Sequence, residues 1–229
     1  MNKTKTGFIA AAILFALFLV FTLLTATVDR EACEAGSIGF SSLNKAVSES
    51  IGTSRFWHIA TEALGIVALI ECAGFALIGL LQLIARKNLF KVDGSILALG
   101  ATYALLAAFY LLFLVVTVNY RPFSPADLSL AEPSYPSSHT MLAVAVFGTG
   151  ALAFAGMTES RKTALVFTAV SSALAALTVF GRILSGVHWI TDVIGGILLG
   201  FAHVALYLGL SGLITGKQKE NNKKQRISA

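Results

Sequence analysis

Three short clusters of ionisable and hydroxyl residues interrupt an otherwise apolar chain: Asn119-Tyr120-Arg121-Pro122, Pro136-Ser137-Ser138-His139, and Gly181-Arg182 followed by His188 and Asp192. Ionisable groups in or beside a membrane are costly and tend to be kept for a function. Arg121 and Arg182 in one pocket would offer two permanently charged guanidinium forks. That arrangement matches a multivalent oxyanion such as phosphate and repels a cation. It argues against His139, His188 and Asp192 as zinc ligands, so no metal is expected.

Pro136-Ser137-Ser138-His139 immediately precedes an apolar run, so its backbone N–H groups head a helix at the positive end of the dipole, a natural anion cradle. Ser137 and Ser138 add hydroxyl donors, and at least one of them is expected to serve as the N-cap. His188 and Asp192 are four apart, which on a helix puts both on one face. The carboxylate can then hold one imidazole nitrogen and leave the other as a nucleophile. His139 has no such partner nearby in sequence and suits a general acid.

These clusters must be carried by membrane elements. The 229-residue chain is 56% hydrophobic and 13% charged, with mean hydropathy +0.78, too apolar for a soluble domain. Its apolar residues fall in six blocks long enough to cross about 30 Å of hydrocarbon as helix. They run approximately Phe8 to Thr27, Ile59 to Ala85, Ile96 to Val118, Met141 to Met157, Thr163 to Phe180 and Val193 to Ile214. The first follows Lys3 and Lys5 but is about twice the length of a signal-peptide core, so it is read as a retained span. The expected architecture is all-α: a single six-helix transmembrane domain over 1–216 and a basic, disordered cytoplasmic tail over 217–229. No internal repeat is visible.

The net charge of +5 lies at span borders rather than on one polar face, which excludes nucleic acid as a partner. Twelve of the 17 basic residues fall on the side of the termini: Lys3, Lys5, Arg86, Lys87, Lys91, Arg161, Lys162 and five in the tail. Arg30, Lys45, Arg55, Arg121 and Arg182 fall on the other. The positive-inside rule therefore predicts cytoplasmic termini and places all three clusters at the outer face of what is expected to be a bacterial cytoplasmic membrane.

The outer segment Val28 to Arg55 carries Phe40, Leu43, Val47 and Ile51 at helical spacing, which fits a surface helix or a capped solvent loop. Asn119 to Thr140 contains all four prolines and reads as a rigid loop. Cys33 and Cys72 form no evident pair. Of the polar residues inside spans, His58 and Glu62 are four apart and are expected to pair. Glu71 is assigned a structural role, and His203 a packing one.

Arg121-Pro122, Pro136-Ser137-Ser138-His139, and Arg182 with His188 and Asp192 resemble the three signature motifs of the type 2 phosphatidic acid phosphatases. That family's pattern is Lys, six residues, Arg-Pro; Pro-Ser-Gly-His; and Ser-Arg, five residues, His, three residues, Asp. The resemblance covers spans three to six. It implies a six-helix PAP2-like bundle that hydrolyses a lipid phosphate or diphosphate without a metal or an organic cofactor. It also implies His188 as the nucleophile forming a phosphohistidine, Asp192 as its orienting partner and His139 as the acid, with Arg121, Arg182, Ser137 and Ser138 at the phosphate. Three positions depart from the pattern: Leu114 for the lysine, Ser138 for the glycine and Gly181 for the serine. A lipid transporter or scramblase using the same anion pocket is the rival reading. It leaves His188 backed by Asp192 without a purpose.

Overall fold

The computed structural model describes residues 3–33, 36–122 and 132–228. Part of the proline-rich segment, residues 123–131 with Pro125, lies outside the described residues. Long apolar runs become helices α1 (Lys3–Thr27), α3 (Arg55–Arg86), α4 (Gly94–Val115), α5 (Ser138–Met157), α6 (Arg161–Ser185) and α7 (Ile190–Ser228), with a short α2 (Ser41–Ile51) between the first two. All except α2 are long and apolar enough to cross a membrane. This is the expected six-span, all-α architecture.

The spans differ from the expected boundaries where polar residues were read as breaks. Helix α6 runs past Phe180 to Ser185, because Gly181 and Arg182 are buried within the bundle rather than released into a loop. Helix α7 passes through Gly216 to Ser228 without interruption. The segment after Gly216 contains no proline and many strong helix formers, and Glu220 pairs with Lys224 one turn on, at 2.7 Å. The segment expected to be a disordered tail thus continues the last helix as far as Ser228.

Two spans form the centre. In the most apolar stretches of α5 and α7, 61% and 56% of residues are buried, against 17% in α1, α3 and α6. The α5–α6 connection is short, and Ser160 caps α6 by accepting from the Thr163 amide at 3.3 Å. The antiparallel helices α1 and α7 approach at glycines: a Cβ on Gly7 would lie 2.5 Å from the Gly209 nitrogen. Such small-residue contacts let membrane helices pack closely where hydrophobicity gives no preference for protein over lipid.

The segment after α1 is more ordered than a loop. Strands β1 (Glu31–Cys33) and β2 (Gly36–Ile38) form a small antiparallel hairpin, pairing Glu31 with Ile38, which the sequence reading did not foresee. Helix α2 then presents buried Ser41 and Asn44 to the protein, while Leu43 and Ile51 stay exposed. The hairpin, α2 and residues 119–122 and 132–134 share one end of the bundle, where α3, α5 and α7 begin.

Replacing Gly7 by leucine is expected to lower thermal stability in detergent, since overpacking typically costs about 1–3 kcal/mol. Gly74→Leu is expected to be tolerated, because nothing lies within 4 Å of that site. Unfolding curves of the two variants check the contact.

Candidate active site

The deepest element of the site is the Asp192 carboxylate, in the first turn of α7 and fully buried. An ionised carboxylate out of water must be compensated by donors. Oδ1 accepts from Asn119 Nδ2 at 3.1 Å and Oδ2 from the Trp189 amide at 3.0 Å. His188 Nδ1 lies 3.5 Å from Oδ2. His188 is not on a helix, contrary to the expectation. Gly186, with φ of 70°, ends α6 in a left-handed cap, and His188 sits in the turn before α7 begins at Ile190. A tight turn, rather than a shared helix face, makes the pair.

Burial, then the Arg182 and Arg121 charges, hold the His188 imidazole well below its ordinary pKa, so the ring is neutral near pH 7. The Ser134 backbone gives a weaker contact, and neither ring nitrogen completes a hydrogen bond of good geometry among the described residues. With Nδ1 turned to Asp192, Nε2 is the nitrogen left to react.

Asn119 ties this corner to the rest of the cap. Its Oδ1 accepts from the Gly39 amide at 2.8 Å and its Nδ2 reaches Thr191 Oγ1 at 3.3 Å. Asn44, on α2, also contacts Thr191 Oγ1, at 2.9 Å. Trp189 Nε1 donates to the Tyr120 carbonyl at 2.6 Å. Asn119 belongs to the first sequence cluster. Asn44 and Thr191 were not picked out, and their pairing across 147 residues leaves no local signal.

Arg182, in the last turn of α6, is 0% exposed. Its Nη1 donates to Thr61 Oγ1 and to Glu62 Oε1, both at 3.1 Å. Nε and Nη2 have no hydrogen-bond partner among the described residues, leaving one edge of the fork for an oxyanion. Glu62 Oε2 meets His139 Nε2 at 3.1 Å. The carboxylate therefore bridges Arg182 and His139, whereas His58 lies 3.9 Å away. The expected His58–Glu62 pair is thus present as the longest of the three contacts, and His139 has a carboxylate partner 77 residues distant. A carboxylate in a span at the same end as the three clusters was the available signal. The Gly181 departure also has a physical reason: a Cβ there would meet Thr61 Cγ2 at 2.5 Å, disturbing the residue that holds Arg182.

Ser137 is the N-cap of α5: its Oγ accepts from the Thr140 amide at 3.5 Å, while its own amide donates to the Asp192 carbonyl at 2.9 Å. Arg121 stands on the facing segment, where its amide donates to the Glu132 carbonyl and its Nε lies 3.1 Å from Glu132 Oε2. A cavity of about 190 Å³ is lined by Arg121, Glu132, Ser138, His188 and Leu114. A second, of about 510 Å³, begins at Glu62, Ser138 and His139 and continues along α3 and α4 past Ile66, Leu69, Tyr103 and Leu106. Ser138 borders both. The seven residues singled out in the sequence thus lie at one end of the bundle, with Arg182, Arg121 and His139 all acting electrostatically on His188.

The fold is similar to a crystal structure described as the first transmembrane PAP2 type phosphatidylglycerolphosphate phosphatase from Bacillus subtilis. The TM-score is 0.58 at 20% identity, covering 92% of this chain and 96% of that one. No curated protein sequence matches this chain. A family model described as the PAP2 superfamily matches residues 97–213, a stretch that contains all three clusters and spans α4 to most of α7. The chain belongs to the PAP2 superfamily.

Proposed function

We propose that this protein is a membrane phosphatase that hydrolyses a lipid phosphate or diphosphate through a phosphohistidine intermediate. The observation that carries the reading is the buried, neutral His188 with Nδ1 against Asp192, beside an Arg182 fork with one unpartnered edge. A pure binding site needs the fork but not the oriented imidazole.

Nε2 of His188 attacks phosphorus, forming an N–P bond as the P–O bond to the lipid breaks. His139 passes a proton to the departing oxygen, and Asp192 stabilises the charge that develops on the His188 ring. Water then attacks the phosphohistidine and releases inorganic phosphate. Arg182, Arg121, Ser137 and Ser138 hold the equatorial oxygens. Such a cationic cradle supplies the charge stabilisation that a metal would otherwise give, so the reaction is proposed to need none.

The long apolar cavity along α3 and α4 suits an acyl or isoprenyl tail, and the smaller one beside Arg121 and His188 suits the head. We place the site at the outer face of a bacterial cytoplasmic membrane and both termini in the cytoplasm, from the distribution of basic residues. Phosphate release from detergent-solubilised lipid phosphates with chelator present tests the reading. Activity only on adding metal would contradict it.

The two histidines are expected to fail differently. His188→Ala should abolish turnover of every substrate. His139→Ala should lose about a hundredfold to ten-thousandfold on a lipid alkyl phosphate but far less on nitrophenyl phosphate, whose leaving group needs little protonation. The ratio of the two rates in each variant checks the assignment.

Reaction requires the neutral His188 ring. Burial and the two arginines oppose its protonation, so activity should persist as pH falls through 6.5, the ordinary imidazole value, and disappear only below it. The pH profile with nitrophenyl phosphate, corrected for the substrate's own ionisation, measures this limb. A limb at or above 6.5 would contradict the neutral-nucleophile geometry.

A further inference from the structure

The positive charge of the site is unusually well matched by its own carboxylates. Arg182 is bound by Glu62 at 3.1 Å and Arg121 lies 3.1 Å from Glu132. Leu114, which lines the cavity with Arg121 and His188, adds no cation. Glu62 has a second position of consequence. Its other oxygen contacts His139 Nε2, and it stands where the phosphate site meets the long apolar cavity, with its side chain 47% exposed. On the phosphatase reading, with the head in the smaller cavity and the tail in the longer one, the bond that breaks lies at this junction.

Resting on the phosphatase reading above, we propose that the site is built for phosphate monoesters of lipid alcohols and against lipid diphosphates, with Glu62 as the specificity-determining residue. In a monoester, the N–P bond forms at His188 as the P–O(alkyl) bond breaks, and the oxygen takes a proton from His139. The leaving group is a neutral alcohol, which Glu62 tolerates. In a diphosphate the bond that breaks is the P–O–P bridge. The leaving group is then a lipid phosphate anion, which needs no proton and must depart against the Glu62 carboxylate. Like charges placed together in this way discriminate between ligands without any steric clash. With Arg182 held on one edge by Glu62 and Arg121 beside Glu132, the free guanidinium edge of Arg182 suits one phosphate rather than two.

The test uses dioleoylglycerol phosphate and dioleoylglycerol diphosphate, which share one tail, with initial rates measured in mixed micelles on the full-length protein. Wild type should favour the monoester in kcat/KM by about tenfold, the scale of one partly screened charge contact. Glu62→Gln removes the charge with little change in shape and should shift that ratio toward the diphosphate by a similar factor. Leu114→Lys, adding a cation to the cavity lined by Arg121 and His188, should shift it the same way, and it decides the matter if Glu62→Gln does not fold. A wild type that cleaves the diphosphate as well as the monoester would overturn the proposal, as would an unmoved ratio in the folded variants. If wild type cleaved neither lipid, the phosphatase reading itself would fall and this inference with it, an outcome distinct from a wrong ratio.

Discussion

A carboxylate fully removed from solvent, Asp192, sets the terms for the architecture at the active end of the bundle. Desolvating a charge of this kind costs several kcal/mol unless donors surround it. One donor comes from a distant part of the chain, Asn119 after α4, and one from the adjoining turn, the Trp189 amide, with the His188 ring 3.5 Å from the same carboxylate. Asn119 is itself held by the β-hairpin through Gly39, and Thr191 by α2 through Asn44. The hairpin and α2 therefore serve the carboxylate by fixing its donors, although neither contributes a side chain that would touch phosphate.

Arg182 repeats the pattern with opposite sign. A guanidinium with no exposure is held on one edge by Thr61 and Glu62 from α3, which leaves the other edge oriented but unpartnered. A side chain fixed before substrate arrives loses little entropy on binding and needs no reorganisation as charge develops in the transition state. Glu62 extends the same restraint to His139 on α5. One acidic residue thus couples three helices and three ionisable groups.

Much of this was legible in the sequence, and what was not shares a cause. The spans were visible because helices in hydrocarbon must be apolar along their length. The clusters at Arg121, Ser137 to His139, and Arg182 to Asp192 were visible because they are short and polar in apolar surroundings. Polar residues were also what misplaced the ends of α6 and α7: Gly181 and Arg182 read as a break although the protein buries them, and a polar stretch after Gly216 can still be helical. The hairpin strands, three residues each, are too short for a period-two pattern to register. For Glu62 only the local partner, His58, was legible, because its two closer partners lie 77 and 120 residues away. His188 and Asp192 were correctly paired for a reason that proved different, since the tight turn at Gly186 replaces the helix face.

The central claim is that His188 carries the phosphoryl group, and rapid-quench trapping with a phosphorus-labelled lipid phosphate tests it most directly. The account predicts label that is stable to alkali and labile to acid, as a phosphoramidate is. It should map to the peptide containing His188, form and decay at rates compatible with turnover, and be absent in His188→Ala. Turnover with no trapped label on any time scale, or label that survives in His188→Ala, would contradict the account.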